Sequence, residues 1–365
     1  MSASNPRATT ADLTPKQTSD TQQTTPQRAR RRPWGKLLLS ALAVYLVVLI
    51  ALVIYWCRQP ATFNVEQLTQ QETVALGGQP VPGTHFVAAT IGVADTLLTK
   101  PGGLTHNDRF PPGVLLDNCP SWECGVIMAL RDALRALRDD FSRTKSQSAE
   151  NLDLKRADLQ FSMDPKFWIM PAAEDEYRKG IDALERYFQA LSTGNLTFGR
   201  FSVRADNLSE YLALVEKRLG NFGLRLSSSS ADPRLSAAFY PADTAAKIEQ
   251  LPMIEGADSQ PSAQRTAPNR VDDVFYCARG YSWALLHFVE ALQIDFAPVI
   301  ADKQAQPALE QIERDLQGAI KGMRSPIVLN GNGFGLLANH SLVLASYIAR
   351  INAAVIDLRI LLQQG

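Results

Sequence analysis

Leu37–Trp56 reads LLLSALAVYLVVLIALVIYW, 20 residues without a charge, and that run limits everything around it. As a helix rising about 1.5 Å per residue it spans the roughly 30 Å hydrocarbon core of a bilayer. Trp34, Tyr55 and Trp56 stand where interfacial aromatics sit. Arg28, Arg30, Arg31, Arg32 and Lys36 precede the run, and only Arg58 directly follows it. The positive-inside rule then puts the N-terminus in the cytoplasm and everything from Arg58 across the membrane. A cleaved signal fits less well. The lead is 36 residues long and no A-x-A pattern follows the apolar run. Cys57 is preceded by bulky Tyr55 and Trp56, where a lipoprotein would need small residues. The expectation is an uncleaved, single-pass integral membrane protein.

Charge follows the same division. Residues 1–56 hold seven basic and two acidic side chains, and residues 57–365 hold 30 basic and 35 acidic ones. A mildly acidic outer part is a poor partner for nucleic acid or anionic lipid. The basic tail, residues 1–36, is rich in Ser, Thr, Gln and Pro and nearly lacks large apolar side chains. It cannot bury enough surface to offset its ordering entropy, so a disordered cytoplasmic tail is expected.

After the span, residues 57–83 read as a linker ending in the Gly/Pro hinge Gly77–Gly83. Thr84 is a plausible N-cap for an apolar helix to Leu98, and a Gly/Pro-rich loop runs from Pro101 to Pro120. Ile127, Leu130, Leu134, Leu137 and Phe141 keep a 3.6-residue period, which predicts a helix over 122–143. Pro171 with Glu174, Asp175 and Glu176 starts another, running to Leu191, since acids in a first turn suit the helix dipole. A further helix covers Asn207–Leu219 with Gly220 as its C-cap. Residues 227–270 are a Ser/Pro-rich irregular segment. Helices resume at Asp272, over Tyr281–Ile300, Pro307–Ile320 and Leu336–Leu362. The charges in the last of these (His340, Arg350, Asp357, Arg359) and in Tyr281–Ile300 favour a soluble bundle over further spans. The predicted fold is all-α: one transmembrane helix, then two helical lobes, 84–226 and 271–365, joined by the irregular segment.

Several stretches carry a family resemblance. They are Gly103–Asp108 (GLTHND), Leu116–Glu123 (LDNCPSWE), Phe141–Arg143 with Ser146–Ser148, and Trp168–Pro171 leading to Glu176–Ile181. With the anchor they resemble a proteobacterial family of single-pass inner-membrane proteins defined as a domain of unknown function. The resemblance spans most of the chain from the anchor onward. It implies a bacterial inner membrane and a periplasmic domain, and it supplies no activity and no catalytic residue.

Candidate sites are few. Cys119 and Cys124 enclose four residues in a turn-rich loop and can form a disulfide in an oxidising compartment. Free thiols are the other reading, and the spacing is not that of a C-x-x-C redox motif. His106-Asn107-Asp108-Arg109 is a polar loop cluster, with Trp122-Glu123 close behind, although Asn and Asp in such loops usually serve turn hydrogen bonds. Asn330–Gly335 reads as a Gly-rich turn or an anion-binding nest, without the Lys-Ser/Thr of a phosphate loop. The four histidines show no H-x-x-x-H or H-E-x-x-H spacing, so no metal or cofactor is expected. Two functions remain open. One is a non-enzymatic periplasmic module that binds or scaffolds other envelope proteins. The other is an envelope hydrolase for cell-wall or lipid material, with its site around His106–Arg109 and Trp122–Glu123. They differ in whether those side chains converge in a deep pocket.

Overall fold

A computed structural model describes residues 34–143, 150–195, 198–227, 270–323, 325, 327–331 and 338–364. Most of the expected tail (1–33), nearly all of the Ser/Pro-rich segment and residues 332–337 of the Gly-rich turn lie outside the described residues. The described ones form eleven α-helices. They are α1 (Trp34–Trp56), α2 (Val65–Ala75), α3 (Thr84–Thr99), α4 (Asn118–Ala136), α5 (Leu152–Phe161) and α6 (Ala173–Ser192). Then come α7 (Ala205–Ser227), α8 (Val271–Asp295), α9 (Ala297–Asp302), α10 (Gln306–Ala319) and α11 (His340–Gln363). No named strand occurs among the described residues, and the expected all-α class is what forms. The chain divides into two units, Met1–Val47 and Val48–Gly365, so the second holds the last turns of α1 with every later helix.

Among the described residues α1 and α11 are long and apolar enough to cross a membrane. None of α1 is buried. By contrast, α11 buries Leu344, Ile348, Ile351, Val355 and Leu358 against α7 and α10. Arg350 on α11 reaches Asp315 of α10 at 2.6 Å, and Arg359 pairs with Glu216 of α7. Neutralised and packed in this way, the charges of α11 belong to a domain helix.

The two expected lobes are not separate. α8 packs along α4, α11 lies on α7, and side chains of both stretches enter one hydrophobic core. The reason lies in α4 and α8, whose backbones touch. A Cβ placed on Gly125 would lie 1.9 Å from the Cys277 carbonyl oxygen, and one on Gly280 would lie 2.0 Å from that of Trp122. Only glycine fits at either position. Around the crossing, Trp122 and Trp283 meet with ring centres 5.3 Å apart, and Phe222 of α7 packs on Tyr281 at 5.4 Å.

Buried polar groups tie the outer helices to this pair. Asp132 of α4 takes two hydrogen bonds from Arg218 of α7, at 2.9 and 3.1 Å. Asp295, near the end of α8, accepts the Phe86 N–H and sits 2.8 Å from His85 Nδ1, which fixes the start of α3. Arg279 donates to the Ile320 and Lys321 carbonyls at the end of α10 and to the Gln59 side chain, each at 2.8 Å. His287 donates from Nδ1 to the Trp283 carbonyl and accepts the Phe63 N–H at Nε2, with its ring stacked on Phe63. Burial lowers its pKa to about 4, so the ring is neutral at neutral pH.

Several boundaries move from those read in the sequence. The 57–83 linker contains α2, capped by Asn64 accepting from the Gln67 N–H and buried through Val65, Thr69 and Thr73. Two of those three are polar, so no apolar period announces the helix. α3 is preceded by Gly83 at φ +96°, so that glycine, not Thr84, holds the N-cap position. α7 runs through Gly220, because Leu219, Phe222 and Leu226 continue its buried face. That burial outweighs the ~1 kcal/mol helical cost of a glycine. α4 starts at Asn118 and accommodates Pro120 in its first turn, where no intrahelical donor is required.

The glycine crossing can be tested directly. Gly280→Ala gains ~1 kcal/mol of helix propensity but must force the two backbones apart, an overpacking cost of about 3 kcal/mol or more. The net expectation is a clear loss of stability in denaturant unfolding of the full chain. Gly322→Ala, with open space around its Cβ, is expected to behave like the wild type. Equal stability of the two variants would contradict the packing described.

Candidate functional site

The loop before α4 is organised by one carboxylate. Glu123 is fully buried one turn into α4 and accepts the Thr105 N–H and Oγ1, both at 2.8 Å, and the His106 N–H at 2.9 Å. Its Oε1 also lies 2.6 Å from Lys100 Nζ, itself buried. Both carboxylate oxygens are therefore engaged, and a buried cation neutralises the charge. Four donors converging on one side chain bend residues 100–106 around the first turn of α4. Such a carboxylate is a structural keystone, not a free base.

The neighbouring side chains are occupied in the same way. His106 donates from Nδ1 to the Pro120 carbonyl at 3.1 Å, and burial lowers its pKa despite the attraction of Glu123. Asn107 donates from Nδ2 to Glu174 at 2.7 Å and to the Phe167 carbonyl at 3.0 Å. This joins the loop to the start of α6. Asp108 sits over Gly113, where a Cβ would collide with its carboxyl, and burial raises its pKa with help from Glu123 and Glu174. The guanidinium of Arg109 lies over the Trp168 ring, 5.9 Å from its centre. Trp122 points into the core against Trp283, away from this loop chemistry.

The six residues thus lie within one stretch of structure, with Trp122 turned into the core. His106 Nδ1, Asn107 Nδ2 and both Glu123 oxygens are engaged with backbone groups or with Glu174, Thr105 and Lys100. A cleft lined by Arg204, Asp206, Glu210, Lys303 and Gln363 lies elsewhere and includes none of the six. Among the described residues, Asp117, Asp272 and Asp273 are the acids close enough to share a cation, with ligand oxygens within 4.8 Å of one another. Burial first, and then the two neighbours, raise the pKa of Asp117, while Ser121 donates to Asp273 at 2.9 Å.

Of the two readings of Cys119 and Cys124, the disulfide between them does not form. Five residues apart on α4, the two side chains diverge by about 140° around the helix axis. Cys119 pairs instead with Cys57, the first residue after α1, with Cα atoms 5.3 Å apart. Cys124 turns towards α8, and its sulfur lies 3.4 Å from that of Cys277. Both remain thiols. The hydrogen bond between them lowers the Cys124 pKa and raises that of Cys277. Reading Cys119 as a loop residue hides this, because only a helix beginning at Asn118 separates it from Cys124.

A family model described as "Uncharacterized protein conserved in bacteria (DUF2333)" matches residues 28–365, from the basic cluster before α1 to the C-terminus. The chain belongs to this family. The resemblance seen in the sequence stretches is thereby borne out over nearly the whole length. No curated protein and no solved structure matches the chain. Membership of DUF2333 brings a bacterial setting.

If Glu123 is a keystone, removing it should unfold the loop rather than silence a reaction. Glu123→Gln leaves Lys100 as an uncompensated buried charge, and breaking such a pair costs about 3–5 kcal/mol. Lys100→Met with Glu123→Gln should recover much of that loss in thermal unfolding of the full chain. A double variant no more stable than Glu123→Gln would contradict the pairing.

Proposed function

We propose that this DUF2333 protein is a single-pass inner-membrane protein whose helical domain stands in the periplasm and binds or scaffolds other envelope proteins there. The observation that carries the placement is the position of the disulfide. Cys57 follows α1 immediately and is bonded to Cys119 of α4. Disulfides persist in oxidising compartments, which supports an exported position for this side of α1. The five basic residues between Arg28 and Lys36 independently support a cytoplasmic position for the other side.

The binding role is favoured over hydrolysis by how the polar residues are used. Glu123, His106 and Asn107 hydrogen-bond across two loops and α4 and hold them together, a structural use of the polar side chains of this loop. An anchor adds to such a module by confining it to the membrane face, which raises its effective concentration towards partners held there.

Alkaline phosphatase fused after Pro80 and, separately, after Ile300 should be active in cells, since that enzyme matures only on the exported side. Activity at both sites supports one crossing with the domain outside. An inactive fusion after Ile300 would mean that the chain re-enters the membrane and would overturn this reading.

A further inference from the structure

Two neighbouring loops leave large apolar side chains in the open. Phe110 is 76% exposed, and Val114 and Leu115 beside it are more than half exposed. Met170 is 89% exposed at the tip of the second loop, with Phe167, Trp168 and Ile169 each at least half exposed. The loops touch, since Asn107 donates to the Phe167 carbonyl and Arg109 covers the Trp168 ring. Seven such residues in two adjoining loops form a patch of a kind that a solvated surface rarely tolerates without an occupant.

The position of the first loop identifies that occupant. Both its ends are fastened to the exit of α1. A Cβ on Gly102 would lie 2.8 Å from the Trp56 ring, and Cys119 is bonded to Cys57. His106 is held 3.1 Å from the carbonyl of Pro120, the residue after Cys119. Phe110 lies four residues beyond His106 and Leu115 four before Cys119, so each is within about 14 Å of those fixed points. The head-group layer outside the hydrocarbon core is itself about 5–8 Å deep. Exposed Trp, Phe, Ile and Met accompanied by Arg109 and exposed Lys166 are the side chains that partition there, the cations meeting lipid phosphate.

Resting on the membrane anchoring proposed above, we infer that Phe110–Leu115 and Phe167–Met170 form a second membrane contact, seated in the periplasmic leaflet beside α1. The domain then does not swing freely on its anchor. Its α4 and α6 loops lie on the bilayer, which sets the orientation in which the opposite end faces the periplasm.

The test uses the full-length protein in vesicles of phosphatidylethanolamine and phosphatidylglycerol carrying a lipid with a photoactivatable diazirine near the head group. Labelled peptides are mapped by mass spectrometry, with hydroxyl-radical footprinting of the same vesicles as a solvent arm. Lipid adducts are expected on Phe110–Leu115 and Phe167–Met170 as well as at Tyr55–Trp56, with both loops protected from radicals. Trp168→Ser with Met170→Ser should lose most of the label on the second loop while the label at Tyr55–Trp56 stays. Label at α1 alone, with both loops open to radicals, would overturn the second contact and leave the patch for a soluble protein partner. No label at α1 either would mean that the anchoring itself is wrong.

Discussion

Backbone meets backbone where α4 crosses α8, and the remaining helices are arranged around that contact. Gly125 and Gly280 each face a carbonyl of the other helix with no room for a side chain. Two helices so close bring their flanking residues into register without choice. Trp122 meets Trp283, Cys124 meets Cys277, and Tyr281 reaches Asp132 and Phe222. Any larger residue at either glycine would separate the pair and open the interior on both sides. Close packing at the crossing therefore specifies the partners of α3, α7 and α10 as well as holding the pair itself.

Buried charges then distribute that order outward. Glu123 shapes the loop before α4, Asp132 binds α7 and Asp295 fixes the start of α3, each carboxylate buried against its polar partner. Such groups add little net stability compared with apolar substitutes, but each is costly to leave unpaired, which penalises alternative arrangements. In the same way, the functional-looking His106, Asn107 and Glu123 are engaged in hydrogen bonds that hold the loop. His106, Asn107 and Glu123 look like a site because loops that must be held in unusual paths need polar side chains, as catalytic loops do. A covalent link adds to these ties, with Cys119 joining the start of α4 to Cys57 at the end of α1.

Much of this is legible in the sequence wherever a periodic apolar face is present. The charge-free run of α1, the stripe from Ile127 to Phe141 and the acid-led start of α6 each announce a helix that forms. α2 and α5 escape such a reading for different reasons. α2 buries threonines, so its inner face does not read as apolar. α5 has the apolar spacing of Leu154, Ala157 and Phe161 behind an Asn151 cap, but it is only 10 residues long. The disulfide is misassigned when sequence proximity stands in for spatial proximity, and helical geometry reverses the two. The fusion of two expected lobes into one core is beyond reach, since it depends on Gly125 finding Gly280, and a mid-helix glycine in isolation reads as a weakness.

Amide hydrogen exchange of the full-length protein in detergent micelles tests most directly whether the crossing organises the fold. If it does, the slowest amides lie within Trp122–Leu130 and Cys277–Leu285 and exchange only through global opening, while α2 and the loop before α4 open earlier. Slowest exchange in α11 or α6, with the α4–α8 crossing opening as readily as α2, would contradict this account and place the organising contact elsewhere.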